Sequence, residues 1–456
     1  MHGADKLMIA EPNPLIPLPS GRWRFFWLVT AAIIQLGFLL WAARAAVPQA
    51  QLCEVCDTAY YYTSAAEFAQ SGLLFTNPYD GYRSYFVPLF IASVQQLAGS
   101  AGFDGSSVER YTYGISILFW LVSACLIWWL SGRVRVQTLL VAMTATLLNP
   151  FLLVYVPFAL QEGVLMACCL PLLFVWVGAK NLERSRRAAL VIVMALIAYI
   201  IRSSLVWWLL PAACYAGWLL WPQRRHPRQW LPAMAMSVFA ACLLIGPQIY
   251  ISKQKTNSLN PYPSTTLLSQ QIAWGITLLK FATVEDEGHW RGLTYFSPYV
   301  AEPEEEKTAR FYVNHPARAA FLMLSHAYAG FHYDQIKPYW QLDRARPLTL
   351  WLMLSSAIVF LGVMRMTDIV LSRKFDADDA FAMATLALCV ASLLFVAAES
   401  RFGVIGFAML SVQVAEWLAS RPSRTQWSML APGLLMYLAL SLLFNTLLLQ
   451  SADVKI

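Results

Sequence analysis

The chain has 456 residues, of which 58% are hydrophobic and only 13% are charged, and its mean hydropathy is +0.52. A soluble domain carries about 25% charged residues, so the composition excludes an ordinary soluble enzyme and predicts an all-α protein that crosses a membrane many times. The net charge of +7 does not indicate a nucleic-acid partner. Many of the cations fall in short loops between apolar segments, where they set orientation and meet anionic lipid headgroups.

About eleven apolar segments are candidates to cross a bilayer, which takes about 20 residues. The segment 84–99 is shorter and is predicted to be an interfacial or re-entrant helix. Arg202-Ser203 is predicted to form the turn of a tight hairpin between two spans. The first segment is longer than the apolar core of a signal peptide, so we expect it to stay uncleaved. The predicted spans are 23–43, 111–131, 137–157, 160–178, 188–201, 204–221, 231–252, 347–370, 379–397, 402–419 and 428–449.

Basic loops predict the orientation of these spans. Cytoplasmic loops carry an excess of Lys and Arg, and alternate loops of this chain are basic, which predicts a cytoplasmic N-terminus and a periplasmic C-terminus in a bacterial inner membrane. The helix predicted at 317–332 is expected to lie flat on the bilayer. The expected regions are a cytoplasmic tail at 1–22, a transmembrane core at 23–252 that includes an outer loop at 44–110, an outer segment at 253–346, and C-terminal spans at 347–456.

Few ionisable residues fall within or at the ends of spans, where they are costly and are functional candidates by default. Under the predicted orientation they lie at the outer face, and the inner face is expected to carry basic loops without a comparable acid–base group. This pattern predicts a polar site at the outer membrane surface. The candidates are Glu162, Arg202, Glu399 and Arg401 at span ends, with Asp57, Asp80 and Arg83 in the first outer loop.

The loop that follows the first span is acidic and rich in tyrosine, and it holds the strongest candidate for catalysis. Asp57 precedes Tyr60-Tyr61-Tyr62, and a carboxylate beside aromatic and guanidinium groups is suited to act as a general base. The alternative is that Asp57 is a solvated loop acid. Asp80 stands in Asn-Pro-Tyr-Asp-Gly, which is also ordinary turn chemistry, and Cys53-x-x-Cys56 could form a disulfide outside the cell.

These motifs, in their order, resemble the C-class integral membrane glycosyltransferases (the GT-C fold), which include protein O-mannosyltransferases and aminoarabinose transferases. The resemblance covers most of the chain, although the Pro-Pro pair common in the family is a single Pro88 here. The matching residues are Asp57, Tyr61, Ala65, Ala66, Gly72, Tyr82, Arg83 and Pro88-Leu89 in the first loop, then Leu160-Gln161-Glu162, Arg202-Ser203-Ser204, and Glu399-Ser400-Arg401-Phe402.

The resemblance implies a polyprenyl-phosphate-sugar donor and a glycan, lipid or protein acceptor with a hydroxyl or an amine. It implies that Asp57 is the base and that Arg202 and Arg401 bind the leaving phosphate, with help from Arg83, since guanidinium geometry suits phosphate. Attack would invert the anomeric centre. Asp80, Tyr61, Glu162 and Glu399 are further candidates for binding the sugar or orienting the arginines.

Two readings from other classes stay open on the sequence. A flippase or other transporter for lipid-linked sugar would bury charges near the bilayer midplane, between repeats, and no repeat is evident here. A polymerase of the O-antigen type would not require an acid directly after the first span. Some members of the resembled family use a divalent metal and others do not. A single well-placed acid gives no clear metal site, so the sequence leaves a divalent metal possible.

Overall fold

The computed structural model describes residues 21–52, 57–74, 83–99, 105–131, 153, 155–178, 182–264, 266–286, 289–331, 342–372, 376–397, 400–419, 424–450 and 452–455. The predicted tail is outside these residues except for 21–22, and most of the predicted span 137–157 is outside them as well. Cys53, Cys56, Asp80 and Glu399 also lie outside the described residues.

The described part of the chain is built almost entirely of helices. In chain order they are α1 Gly21–Leu52, α2 Asp57–Ser71, α3 Phe86–Leu97, α4 Gly105–Ser131, α5 Gln161–Gly178, α6 Arg184–Ile201, α7 Leu209–Leu220, α8 Pro227–Thr256, α9 Thr266–Thr277, α10 Ala309–Asn314, α11 Pro316–Phe331, α12 Leu342–Ser372, α13 Ala377–Leu393, α14 Val404–Ala419 and α15 Arg424–Gln450. Short 3₁₀ turns cover Gly72–Leu74, Ser203–Trp208, Trp221–Gln223 and Ser400–Gly403.

Helices stand where the apolar segments predict them, except at 137–157, which the described residues barely reach. The predicted short helix at 84–99 is α3, and the predicted surface helix at 317–332 is α11. The turn at Arg202 is also present: its backbone is extended, with φ −140° and ψ 106°, and it separates α6 from the 3₁₀ turn that leads into α7. The helices α6 and α7 pack against each other as a hairpin.

Among the described residues, three helical stretches are long and apolar enough to cross a membrane: Gln161–Gly178, Ser203–Gln223 and Pro227–Thr256. Several shorter apolar helices accompany them. The α8 stretch leaves large apolar side chains such as Leu231, Phe239 and Leu243 on its surface, each more than half exposed. A broad exposed apolar face is unusual on a soluble monomer, so these helices are compatible with a membrane protein.

Local chemistry sets several helix ends. Asp376 caps α13 by accepting a hydrogen bond from the backbone N–H of Asp379 at 2.8 Å, and the Asp379 carboxylate accepts one in return from the Asp376 N–H. This reciprocal arrangement is a capping box. At the C-terminus of α8, Asn257 adopts a left-handed conformation with φ 57°, which ends the helix as Asn can.

One continuous apolar core joins most of the helices. Around α6 it is formed by packing against α5, α7 and α8, while α14 packs against α12, α13 and α5. Close approaches depend on small residues. A Cβ atom on Gly163 would lie 2.6 Å from the Tyr155 carbonyl oxygen, and one on Gly406 would lie 2.8 Å from the ring of Phe331.

The segment between α8 and α12 carries a small sheet that the sequence analysis did not predict. Strands β1 Leu278–Asp286 and β2 His289–Phe296 form an antiparallel hairpin, and β3 Ala452–Lys455 pairs with the other edge of β2. The pairing places the end of the chain beside this hairpin. A separate small core joins the hairpin to α9, α10 and α11. It is formed by Ile276, Leu279, Tyr295, Phe311 and Leu322.

His326 ties the segment between α8 and α12 to the helical bundle. Its side chain is fully buried in α11, with Nδ1 2.8 Å from the Leu394 carbonyl oxygen and Nε2 3.1 Å from the Leu278 carbonyl oxygen. Burial lowers the pKa of the His326 imidazole, and the backbone carbonyls, including that of Gly275, oppose this only in part. The folded protein therefore favours the neutral ring relative to an exposed histidine.

Replacement of Gly163 by alanine is expected to lower the unfolding temperature of the purified protein in detergent. The new methyl group would press on backbone oxygens that cannot rotate away, and overpacking of this kind costs about 1–3 kcal/mol. The matched control is Gly217→Ala on α7, where no atom lies within 4 Å of the added carbon. That variant should be neutral or slightly stabilised, and equal effects at the two glycines would contradict the packing described here.

Unfolding temperature should also depend on the protonation of His326. Its pKa is lowered in the folded state, so the unfolded chain binds a proton first as pH falls through about 6.5. The contribution of the neutral His326 ring to the free energy of unfolding is fully present above about pH 6.5 and is lost progressively as pH falls below it. His326→Gln should reduce the fall in unfolding temperature between about pH 7.5 and about pH 5.5. An unaltered fall in unfolding temperature in His326→Gln would refute the assignment.

Candidate functional site

An ion pair between Arg202 and Glu162 is the centre of the candidate site. Arg202 Nη1 donates to Glu162 Oε1 at 2.5 Å, and the two side chains are 13% and 3% exposed. Glu162 lies in the first turn of α5, where a carboxylate is favoured by the helix dipole. Gly163 follows it and lets the helix start close against the turn at 155–158. Arg202 stands at the break after α6, so the two helix ends meet here.

The same guanidinium is held on two further sides. Its Nε donates to the Ser204 hydroxyl at 3.0 Å, and its central carbon lies 4.3 Å from the centre of the Phe402 ring. Phe402 belongs to the 3₁₀ turn Ser400–Gly403, which also contains Arg401. Three of the motifs singled out in the sequence therefore meet at Arg202. Arg202 Nη2 makes no hydrogen bond within the described residues.

Asp57 forms a second, looser pair. Arg83 Nη2 lies 3.3 Å from Asp57 Oδ1, and the two side chains are 20% and 34% exposed. Strong charge-assisted bonds are about 2.7–2.9 Å long, so this pair is loosely held and open to solvent. The guanidinium of Arg83 also stacks on Tyr60, with 3.9 Å between its central carbon and the ring centre.

The neighbouring tyrosines of α2 have different surroundings. Tyr61 is buried, and its ring meets Tyr60 edge to face, with the centres 5.5 Å apart. Tyr62 is fully buried and packs edge to face on Tyr111 of α4. Of these three tyrosines, Tyr60 is therefore the one that keeps some exposure, and its ring stacks on Arg83 of the Asp57–Arg83 pair.

A buried glutamine connects the Asp57 side of the site to α8. Gln248 Oε1 accepts the Tyr85 backbone N–H at 3.0 Å, and its Nε2 donates to the Arg83 carbonyl at 3.4 Å and to the Pro261 carbonyl at 3.1 Å. The Tyr85 hydroxyl donates to the Leu244 carbonyl at 3.1 Å and also lies 3.5 Å from that of Leu243. Pro247, four residues after Leu243, has no backbone N–H with which to bond the Leu243 carbonyl. That carbonyl therefore stays available to the Tyr85 hydroxyl.

The connection continues to the Arg202 side. Ser252 also donates to the Pro261 carbonyl, at 3.0 Å. The next residue, Tyr262, donates from its hydroxyl to the Ile200 carbonyl at 3.0 Å, two residues before Arg202. Hydrogen bonds thus lead from the backbone of Arg83 through Gln248 and the 261–262 segment to the end of α6. The sequence analysis missed Gln248 and Tyr262, whose partners are backbone atoms that leave no pattern in the sequence.

The sequence analysis expected no acid–base group at the ends of the spans opposite Arg202, and that expectation was wrong. Arg187, in the first turn of α6, pairs with both carboxylate oxygens of Asp378 at 3.0 and 3.1 Å, and the Tyr215 hydroxyl donates to Asp378 Oδ1 at 2.7 Å. Trp176 Nε1 in turn donates to the Tyr215 oxygen at 3.2 Å. Arg187 and Arg202 are separated by 15 residues of helix, about 22 Å, so this second cluster lies at the opposite end of α6.

No group of three or more His, Cys, Asp or Glu side chains is placed to hold a metal ion within the described residues. Comparisons with models of known protein families, with curated proteins and with solved structures gave no match. The site is therefore defined by its own geometry: a held guanidinium at Arg202, a partly exposed carboxylate at Asp57 paired with Arg83, and hydrogen bonds that lead from the Arg83 backbone to the end of α6.

Replacing Gln248 by leucine is expected to destabilise the protein. The Tyr85 N–H would lose its acceptor in a buried setting, and an unsatisfied buried group costs about 1–3 kcal/mol. Thermal unfolding of the purified variant should show a decrease of several degrees. Gln229→Leu, at an exposed position near the start of the same helix, is the matched control and should change little. If the two variants unfold alike, Gln248 does not hold the segment that carries Arg83.

Proposed function

We propose that the protein is a glycosyltransferase that moves a sugar from a polyprenyl-phosphate donor to an acceptor hydroxyl or amine at the outer face of the cytoplasmic membrane. The observation that carries the proposal is the junction of Glu162, Arg202 and Phe402. It unites three segments that are distant in the sequence and that resemble, in order, three motifs of one enzyme family.

The geometry at Arg202 supports a role in holding phosphate. Glu162, Ser204 and Phe402 fix the guanidinium on three sides, so little side-chain entropy is lost when an anion binds. Within the described residues Arg202 Nη2 makes no hydrogen bond, so it can donate to a phosphate oxygen. In the proposed reaction Arg202, together with Arg401, binds the phosphate that leaves with the lipid and stabilises the negative charge that develops on it.

The geometry at Asp57 supports a role as general base. The carboxylate is a third exposed, and its contact with Arg83 is long, so an acceptor group can approach it. Asp57 accepts the proton of the acceptor while the acceptor oxygen or nitrogen attacks the anomeric carbon. The bond from that carbon to the phosphate oxygen then breaks, the electron pair leaves with the phosphate, and the anomeric configuration inverts.

Arg83 keeps the Asp57 carboxylate ionised before the acceptor binds. A cation within about 4 Å favours the charged form of a carboxylate, and a base must be deprotonated to act. Tyr60, which stacks on Arg83, limits where that guanidinium can move. Glu399 and Asp80 remain candidates from the sequence for binding the sugar or orienting the arginines.

Asp57→Asn should abolish sugar transfer while the protein still folds. Loss of a general base lowers the rate by about 10²–10⁴-fold, and the amide keeps the size and much of the hydrogen bonding of the acid. Mass spectrometry of envelope and lipid-linked glycans from a deletion strain first identifies the sugar. Transfer by the purified protein from the matching polyprenyl-phosphate-sugar is then measured with unfolding temperature in parallel.

The controls separate the proposal from its alternatives. Glu67→Gln, on the same helix as Asp57, removes an acid outside the proposed machinery and should leave transfer unchanged. Arg202→Lys should weaken transfer, because lysine keeps the charge but loses the planar fork. Full turnover by Asp57→Asn would refute the proposed base. Movement of lipid-linked sugar across vesicles with no new glycosidic bond would identify a transporter.

A further inference from the structure

A groove between α3 and α4 is lined by none of the residues of the Arg202–Glu162 and Arg83–Asp57 ion pairs. Its volume is about 770 Å³, which falls in the range of ligand pockets. Away from Glu109 and Arg110 the groove is lined mainly by apolar side chains, with Val94 and Leu97 on one wall and Ile117 and Leu121 on the other. Leu97, Ile117 and Leu121 are exposed, so the groove opens to the surroundings of the helices.

Gly114 gives the groove its depth. A Cβ atom at this position would lie 3.3 Å from Val94 Cγ1 and 3.6 Å from Ala98 Cβ, so any larger residue would enter the space between the helices. The groove follows α4 from residue 109 to residue 121, about 18 Å along the axis. That is the dimension of a hydrocarbon chain in one leaflet, since the whole core is about 30 Å thick.

Two opposite charges stand at one end of the groove. Glu109 and Arg110 both line it and both are exposed, and neither forms an ion pair within the described residues. Arg110 Nη1 donates to the Gly99 carbonyl at 2.8 Å, and Gly99 ends α3 with φ 75°. The two walls of the groove thus hold the guanidinium at its mouth. The 27 residues of α4 span about 40 Å. Glu109 and Arg110 lie near its N-terminus, so they would stand at headgroup level if the helix crosses the membrane.

We propose that this groove binds one phospholipid with an ethanolamine headgroup, with a hydrocarbon chain along α4. The phosphate accepts hydrogen bonds from Arg110, and the primary ammonium donates to Glu109. An anionic headgroup without an amine leaves Glu109 facing a like charge. A choline headgroup has no N–H to donate. Charge complementarity therefore selects the zwitterionic amine lipid, and the site is independent of the proposed sugar transfer.

The test is photo-cross-linking of the purified full-length protein in nanodiscs. Three lipids with the same diazirine-bearing chain are compared, carrying ethanolamine, choline or glycerol headgroups, and labelled peptides are quantified by mass spectrometry. The ethanolamine lipid should label residues 94–98 and 114–121 about tenfold more than the other two, the effect of a charged hydrogen bond. Glu109→Gln, a change at an exposed position, should remove that preference.

Matched glycine variants test the apolar part of the groove. Gly114→Leu should reduce labelling of both peptides to the level of the exposed face of α8, whereas Gly217→Leu on α7, where the added side chain meets open space, should leave it unchanged. Equal labelling by the three lipids, or labelling spread evenly over all exposed apolar helices, would overturn the proposal. Displacement of the ethanolamine lipid by equimolar polyprenyl phosphate would also overturn it, because the occupant would then be a carrier lipid.

Discussion

The ion pair between Glu162 and Arg202 is the interaction on which the candidate site depends. Two charges removed from water cost several kcal/mol each, and their attraction offsets this only when the geometry is good and the remaining hydrogen-bonding groups are satisfied. The structure meets the first condition with Gly163, which lets α5 start close to its neighbours, and it meets the second in part, because Ser204 and Phe402 hold the guanidinium while Nη2 makes no hydrogen bond within the described residues. Apolar packing alone would tolerate many rotations of α5 against α6, whereas the ion pair accepts few.

Polar contacts hold α6 at both of its ends, and an apolar core fills the space between. Arg187 and Asp378 join α6 to α13 at one end, with Tyr215 of α7 on the same carboxylate. At the other end Arg202 joins α6 to α5 and to the turn that carries Phe402. The register of these helices is therefore fixed twice. A shift of α6 along its neighbours by a single turn, about 5.4 Å, would break both clusters at once.

Sequence analysis recovered the elements whose signal is local. A run of about 20 apolar residues suffices to predict a helix, and the break at Arg202 follows from two polar residues between two such runs. The hairpin at 278–296 was missed although its two strands are neighbours in the sequence; only its third strand, Ala452–Lys455, comes from a distant part of the chain. Arg187 was taken for an ordinary loop cation because its partner Asp378 is 191 residues away, and no pattern in a single sequence relates the two.

Gln248 shows why part of the site lies beyond prediction from one sequence and what that part contributes. It is an amide within a largely apolar stretch of α8, and it bonds to the main chain at Arg83, Tyr85 and Pro261. Because Gln248 holds the Arg83 segment through its backbone, the Arg83 side chain is left to pair with Asp57, and both side chains keep some contact with solvent. At the same time, Tyr262 ties this scaffold to the backbone just before Arg202. The spacing between Arg83 and the end of α6 is thus set largely by hydrogen bonds to the main chain, which a search for ionisable side chains in the sequence does not find.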